Sequence, residues 1–243
     1  MSGFVDLHCH LLPGVDDGAR SLEDALEMAR ALVSLGFSTV APSPHARPEY
    51  APVEVVEARL GELGDALARE RIPLTLGRNA ENVLDEAFLR GLGTPAARML
   101  GAGRYVLVEL PYTAPVPALP DILFRIRTKG IVPLIAHPER CLEFERKGRA
   151  EEAVRAGALL QLDVGALTGR YGGAAKKLSR AFLDAGLYAV AATDLHGPVG
   201  AREWVGRAME ELGRRAGERA FARLLRDTPA SLLAGESLES DQD

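Results

Sequence analysis

Phe4-Val5-Asp6-Leu7-His8-Cys9-His10-Leu11-Leu12-Pro13-Gly14-Val15-Asp16-Asp17-Gly18 opens the chain and decides how the rest is read. A short apolar run leads into two histidines one residue apart. Side chains of an extended strand alternate with period two, so His8 and His10 face the same side. Two imidazoles from one rigid element cost little entropy to organise, and histidine is the commonest metal-binding side chain. The turn that follows adds two adjacent acids, Asp16 and Asp17, before Gly18. Asp-Gly pairs are usually turn formers, but beside a histidine pair they also offer hard oxygen ligands.

The same arrangement recurs along the chain. Its five histidines are His8, His10, His45, His137 and His196. Each comes after one of the short β-rich runs at residues 4–7, 39–41, 74–76, 105–109, 132–136, 159–163 and 189–192. Helical patterning fills the intervals. Ser21 can cap a first helix whose apolar stripe is Leu22, Ala25, Leu26, Ala29, Leu32 and Val33, with Gly36 ending it. Further helices are predicted at about 53–69, 118–129, 143–156, 174–185 and 201–214. Seven strand–helix units without an internal linker predict an α/β fold with a parallel sheet, closed or nearly closed as a barrel. The 243 residues fit one domain, predicted over 1–234, with a polar acidic tail at 235–243 expected to be disordered.

In such barrels the reactive face lies at the C-terminal ends of the strands, where the candidate ligands map. Glu81, in Asn79-Ala80-Glu81-Asn82, follows the third run; an exposed acid at a helix start is the alternative for it. Glu109 ends the fourth run within Val106-Leu107-Val108-Glu109-Leu110. A carboxylate in so apolar a strand needs a partner, because burying an unpaired charge is costly; a metal ion or an arginine would serve. Ala136-His137-Pro138-Glu139-Arg140 ends the fifth run with an imidazole and a nearby guanidinium, and Asp163 ends the sixth with no obvious partner. Thr193-Asp194-Leu195-His196 repeats the period-two spacing with a carboxylate and a histidine. Mixed imidazole and carboxylate donors suit Mn, Fe or Zn better than Mg or Ca. There are more donors than one ion can take, so two or three divalent ions are expected.

Composition excludes several other classes. The net charge of −5 and the lack of a basic cluster argue against nucleic acid and membrane surfaces as partners. Two cysteines in unrelated contexts make no disulfide framework and suggest a reducing compartment. With no basic, apolar leader and no run of membrane-spanning length, a cytoplasmic location is expected. A cysteine-dependent phosphatase needs Cys-x5-Arg, but Val15 stands at that position after Cys9 and Lys147 after Cys141. A barrel using a carbamylated lysine is also disfavoured, since none of Lys129, Lys147, Lys176 and Lys177 ends a predicted strand.

These motifs together resemble the polymerase-and-histidinol-phosphatase (PHP) family, and within it the metal-dependent protein tyrosine phosphatases of bacterial capsule and exopolysaccharide operons. The opening segment carries the resemblance. Pro44-His45, Val108-Glu109-Leu110-Pro111, Ala136-His137-Pro138-Glu139-Arg140 and Thr193-Asp194-Leu195-His196 match in order and spacing, through Thr228-Pro229-Ala230-Ser231-Leu232-Leu233. The resemblance implies a distorted seven-stranded (β/α)7 barrel of PHP type holding three ions, Mn2+ first among them. It implies His8, His10, Glu81 and Asp194 on the first ion, Glu81, Glu109 and His137 on the second, and Asp17, His45 and His196 on the third. Arg140 would bind phosphate, and Arg202 would be the second arginine, although it comes one residue later than the pattern expects. Asn79 stands where a glycine is usual. Asp16 is a candidate proton donor.

The implied activity is phosphotyrosine hydrolysis on a protein, with an autophosphorylating tyrosine kinase that controls polysaccharide export as the expected partner. Histidinol-phosphate phosphatase shares the metal site and is the alternative; a non-catalytic metal-binding partner of a kinase is an alternative of another class.

Overall fold

The computed structural model describes residues 3–94 and 97–238. In chain order the strands are β1 (Phe4–Asp6), β2 (Phe37–Val40), β3 (His45–Ala46), β4 (Thr75–Leu76), β5 (Glu81–Val83), β6 (Tyr105–Glu109), β7 (Val132–Ala136), β8 (Leu159–Asp163) and β9 (Tyr188–Ala192). All of their pairings are parallel, in two sheets ordered β1-β2-β4 and β3-β5-β6-β7-β8-β9.

The ladders therefore depart from one closed seven-stranded barrel. The second and third expected strands are each broken in two, and each passes from the small sheet to the large one. Between β2 and β3 the chain reads Ala41-Pro42-Ser43-Pro44, and proline has no N–H to give a ladder. Between β4 and β5 the Asn79 side chain donates to the Leu7 carbonyl at 2.7 Å. Single bonds carry the ladders past the named strands. Ser43 N–H donates to Cys9 O at 3.0 Å, and Glu81 N–H to Pro44 O at 3.1 Å prolongs the β3–β5 ladder; on the other side Asp194 N–H donates to His8 O and His10 N–H to Leu195 O, at 2.8 and 2.9 Å, joining the segments that follow β1 and β9.

Strands covered on both faces read as continuous apolar runs, and every residue of β6 and β7 is buried. Their two faces feed different cores. Tyr105 and Leu107 join Val132, Leu134, Ala136, Val5, Leu7 and Val190 in a small inner cluster. Val106, Val108 and Ile135 join the larger cluster built with the helices. Glu109 is in phase with Tyr105 and Leu107, so alternation continues the inner row into a carboxylate.

The helices are α1 (Leu22–Ser34), α2 (Val53–Arg69), α3 (Glu86–Gly91), α4 (Leu119–Arg127), α5 (Arg149–Arg155), α6 (Val164–Thr168), α7 (Gly172–Asp184), α8 (Ala201–Ala222) and α9 (Thr228–Ala234). Ser21 Oγ accepts from Asp24 N–H at 3.1 Å, a cap worth about 1 kcal/mol. The helix expected at 143–156 is interrupted. A 3-10 turn at Leu142–Glu145 gives way to α5 only after Gly148, at φ 86°. The buried Glu143 carboxylate takes the Val116 N–H at 2.7 Å and pairs with Arg149, which holds the turn out of helical register. The last long helix runs past the expected 214 to Ala222, with a kink at Gly217.

Gly235 ends α9, and Glu236 O accepts from the Tyr105 hydroxyl at 2.6 Å. Of the tail at 235–243, residues 239–243 lie outside the described residues. Among the described residues no helix is long and apolar enough to cross a membrane.

Candidate metal centre

The opening segment leaves β1 and turns back on itself. Gly14 N–H donates to Ala19 O and Ala19 N–H to His10 O, at 2.8 and 3.1 Å. Gly18 is required here, since a Cβ would sit 2.2 Å from the His10 carbonyl oxygen. His8 and His10 face one side as expected, with their Nε2 atoms 3.3 Å apart. Asp6, given no role from the sequence, is buried beneath them. Its carboxylate takes Thr193 Oγ1 at 2.6 Å, Thr193 N–H at 3.2 Å and His8 N–H at 3.1 Å, tying the end of β1 to the end of β9. Burial, partly offset by these bonds, pushes its pKa up to about 6.

Glu81 is the hub. It is 1% exposed at the start of β5, not a surface acid. Oε1 lies 2.9 Å from His137 Nε2 and 3.5 Å from His8 Nε2; Oε2 lies 2.8 Å from His45 Nδ1 and 3.6 Å from His10 Nε2. Asp194 Oδ1 lies 3.1 Å from His8 Nε2 and 3.3 Å from His10 Nε2. Asp17 Oδ1 faces Nε2 of His45 and His196 at 3.4 and 3.6 Å. All nine expected ligands fall into groups whose donor atoms could hold an ion: His8/His10/Asp194, His8/Glu81/His137, His45/Glu81/Glu109 and His10/Asp17/His45/His196. Glu109 groups with His45 rather than with His137. It also pairs with Arg47, the arginine partner weighed for it.

The donor set fits divalent cations. His137 Nδ1 is buried without a hydrogen-bond partner. Burial disfavours charge on His8 and His10, yet the carboxylates outweigh it. Glu81 and Asp194 push His8 up to about 9, and Asp16 and Asp194 raise His10 well above the usual imidazole range. The carboxylates thus favour positive charge at His8 and His10. Burial lowers His137 and His196, which keeps their imidazoles neutral. Outer partners fix the rings: His8 Nδ1 meets Gln161 Oε1 at 2.8 Å, His10 Nδ1 meets Asp16 Oδ2 at 2.7 Å, and His196 Nδ1 meets Asp194 O at 2.9 Å. His137 and Asp194 hold left-handed backbone conformations at φ 31° and 50°. Non-glycine residues there are strained, and such strain gathers at functional sites. Asp194 and His196 thus share one site without the extended geometry that their spacing suggested.

Arg140 borders the cluster. Its Nη1 lies 2.5 Å from Asp194 Oδ2 and 3.3 Å from Asp163 Oδ2, the partner that the sequence did not reveal. Its guanidinium packs over the rings of Tyr112 and Tyr171, at 4.9 and 4.2 Å. A cavity of about 560 Å³ opens here, lined by Asp17, Arg140, Arg170, Tyr171, Asp194 and His196 among others.

Two expectations change. Arg202 is exposed in the first turn of α8 and does not line the cavity. Asp16 is unsuited to proton donation, because its carboxylate already accepts from His10 Nδ1, Gly18 N–H and His45 N–H, and its pKa is lowered, the bonds to these groups outweighing burial. The cysteines are buried, and burial raises both thiols.

Known proteins share this architecture. The family described as capsular polysaccharide synthesis, CpsB/CapC, matches residues 4–234. Tyrosine-protein phosphatase YwqE of Bacillus subtilis (strain 168) is 33% identical over 196 residues, 79% of this chain and 77% of the relative. Tyrosine-protein phosphatase CpsB of Streptococcus pneumoniae is 24% identical over 238 residues, 94% of this chain and 98% of the relative. A solved structure from work on YwqE and CpsB, described as metal-dependent tyrosine phosphatases, superposes with a TM-score of 0.86 at 29% identity, covering 97% of this chain and 96% of that one. A phosphotriesterase-like lactonase of Deinococcus radiodurans, with a TM-score of 0.59 at 15% identity and 95% coverage of each chain, shares the fold alone.

Proposed function

Because the chain belongs to the CpsB/CapC family of capsular polysaccharide synthesis, we propose that it is a metal-dependent phosphatase that removes phosphate from phosphotyrosine in proteins. The observation that carries this reading is the clustering of nine candidate imidazole and carboxylate ligands, Glu81 sharing two of their groups, with Arg140 at the edge of an open cavity. The proposed ions are two or three, Mn2+ foremost, with Fe or Zn as alternatives the donor set also accepts. Following the family resemblance, His8, His10, Glu81 and Asp194 would hold the first, Glu81, Glu109 and His137 the second, and Asp17, His45 and His196 the third; the grouping of Glu109 with His45 in the structure makes its place on the second ion rest on the resemblance. Bound there, they supply Lewis acidity toward the phosphoryl oxygens and a water nucleophile at neutral pH.

The chain's own residues do the rest. The four ligand carboxylates, Asp17, Glu81, Glu109 and Asp194, leave three divalent ions a formal excess of about +2, which favours a phosphate dianion. Both ion pairs of Arg140 run through Nη1, which leaves Nε and Nη2 to donate to phosphoryl oxygens as charge shifts in the transition state. Asp16 aims His10 by accepting from Nδ1, so that Nε2 faces the cluster. Tyrosine leaves as a phenolate whose conjugate acid has a pKa of about 10, so the reaction asks little of a proton donor, in keeping with an Asp16 engaged elsewhere.

The proposed substrate in the cell is a tyrosine kinase that controls polysaccharide export; the family's place in capsular polysaccharide synthesis supports that choice. The test is phosphate release from a phosphotyrosine peptide beside histidinol phosphate and a phosphoserine peptide. The phosphotyrosine peptide should give the highest kcat/KM; preference for histidinol phosphate would reject the reading.

A further inference from the structure

The cavity beside the metal centre has a second arginine that the family motifs do not point to. Arg170 follows α6 through Gly169, which ends that helix at φ 92°, and its side chain lines the same cavity as Arg140, Asp194 and His196. Its guanidinium carbon lies 4.2 Å from the centroid of the Trp204 ring. Trp204 is a buried residue of α8, so the ring is a fixed shelf. Among the described residues no carboxylate pairs with Arg170. A guanidinium held on a ring face is oriented through its flat side, and its N–H groups at the edge remain to donate. Next in sequence, Tyr171 packs against Arg140. Adjacent residues thus serve two arginines on one cavity wall: one is itself an arginine fixed by an indole, the other fixes the arginine next to the metal cluster.

We propose that Arg170, braced by Trp204, is the second phosphate-binding arginine of this site, in the place that spacing assigned to Arg202. Resting on the phosphatase reading, it deepens it: the phosphoryl group is held by Arg140 on the metal side and by Arg170 on the outer wall. Lysine could supply charge at this position but could not lie flat on the indole and present an edge of donors.

The chain contains one tryptophan, so its indole emission reports on the surroundings of Trp204, the Arg170 guanidinium among them. Inorganic phosphate is titrated into the metal-loaded protein while Trp204 emission is followed, and phosphate is measured in parallel as a competitive inhibitor of phosphotyrosine-peptide hydrolysis, with metal content determined on each sample. The native protein should show a saturable emission change that tracks inhibition. Arg170→Ala should weaken phosphate binding about tenfold or more, the effect of losing ~1.4 kcal/mol, and abolish the emission change at unchanged metal content. Arg170→Lys should fall between, and Arg202→Ala should match the native protein.

Phosphate binding within about twofold of native in Arg170→Ala would overturn the proposal, as would native inhibition without any emission change. So would an Arg170→Ala defect confined to peptides with acidic residues beside the tyrosine, since Arg170 would then read the peptide and not the phosphate. Phosphate binding that depends on Arg170 in a protein that cleaves no phosphotyrosine would leave this site standing and remove the phosphatase reading.

Discussion

Asp16 Oδ2 sits 2.7 Å from His10 Nδ1 and also accepts the backbone N–H of His45 at 3.1 Å. One carboxylate thereby sets the tautomer of one candidate ligand and the backbone of another. Asp16→Asn should lower metal affinity and turnover together by about 10–100-fold, the usual cost of losing an outer partner of a ligating histidine. The loss should be the same for aryl phosphates whose leaving groups differ in pKa. A loss that steepens with poorer leaving groups would show instead that Asp16 donates a proton.

Arg140 joins the cluster to the cavity. Arg140→Lys should keep the metals and the fold but lower kcat/KM roughly tenfold to thousandfold, the scale for removing a transition-state donor. Steady-state kinetics on a phosphotyrosine peptide, with metal content measured on the same samples, checks this. Unchanged kinetics would mean that the ions alone stabilise the developing charge.

Glu81 touches four histidines through its two oxygens. Glu81→Ala should reduce the number of ions bound per chain as well as the rate, because two ligand groups lose their shared member. Elemental analysis showing full occupancy would place the bridge elsewhere.

Glu139, two residues after His137, gives a pH signature in stability. It is buried, accepting Tyr188 OH at 2.8 Å and Asp163 N–H at 2.9 Å. Burial, reinforced by Asp163, raises its pKa from 4.5 to about 8. Between those values the folded state holds a proton that the unfolded state has lost, so stability falls as pH rises through this window. The slope is at most about 1.4 kcal/mol per pH unit. Glu139→Gln, which has no proton to lose, should therefore gain on the native protein as pH is raised from about 5 to about 8. Denaturant unfolding of both proteins at the two pH values measures the gain, and parallel curves would place the proton elsewhere.

Much of the site was legible because its chemistry is written in residue type and spacing. Imidazoles and carboxylates at the ends of apolar runs had few other uses, and all nine candidates fall into groups whose donor atoms could hold an ion. What was not legible depends on three-dimensional neighbours. Glu143, which stops the helix expected at 143–156, meets Arg149 and Val116 only in the folded chain. Proline at 42 and 44 was visible, but that the chain would change sheets there depends on Glu81 N–H reaching Pro44 O. Family spacing pointed to Arg202, whereas the fold brings Arg170 to the cavity from another element. The local patterns marked strands and ligands well and tertiary partners poorly, since a partner such as Asp163 for Arg140 lies 23 residues away.

The central claim is that phosphate release depends on divalent ions held by the Glu81-centred cluster. The most direct measurement is phosphate release from a phosphotyrosine peptide by one preparation as purified, after chelation, and after reloading with Mn2+, with metal content determined at each stage. Hydrolysis should vanish with the metal and return in proportion to the ions restored. Undiminished hydrolysis by protein shown to be metal-free would contradict the account.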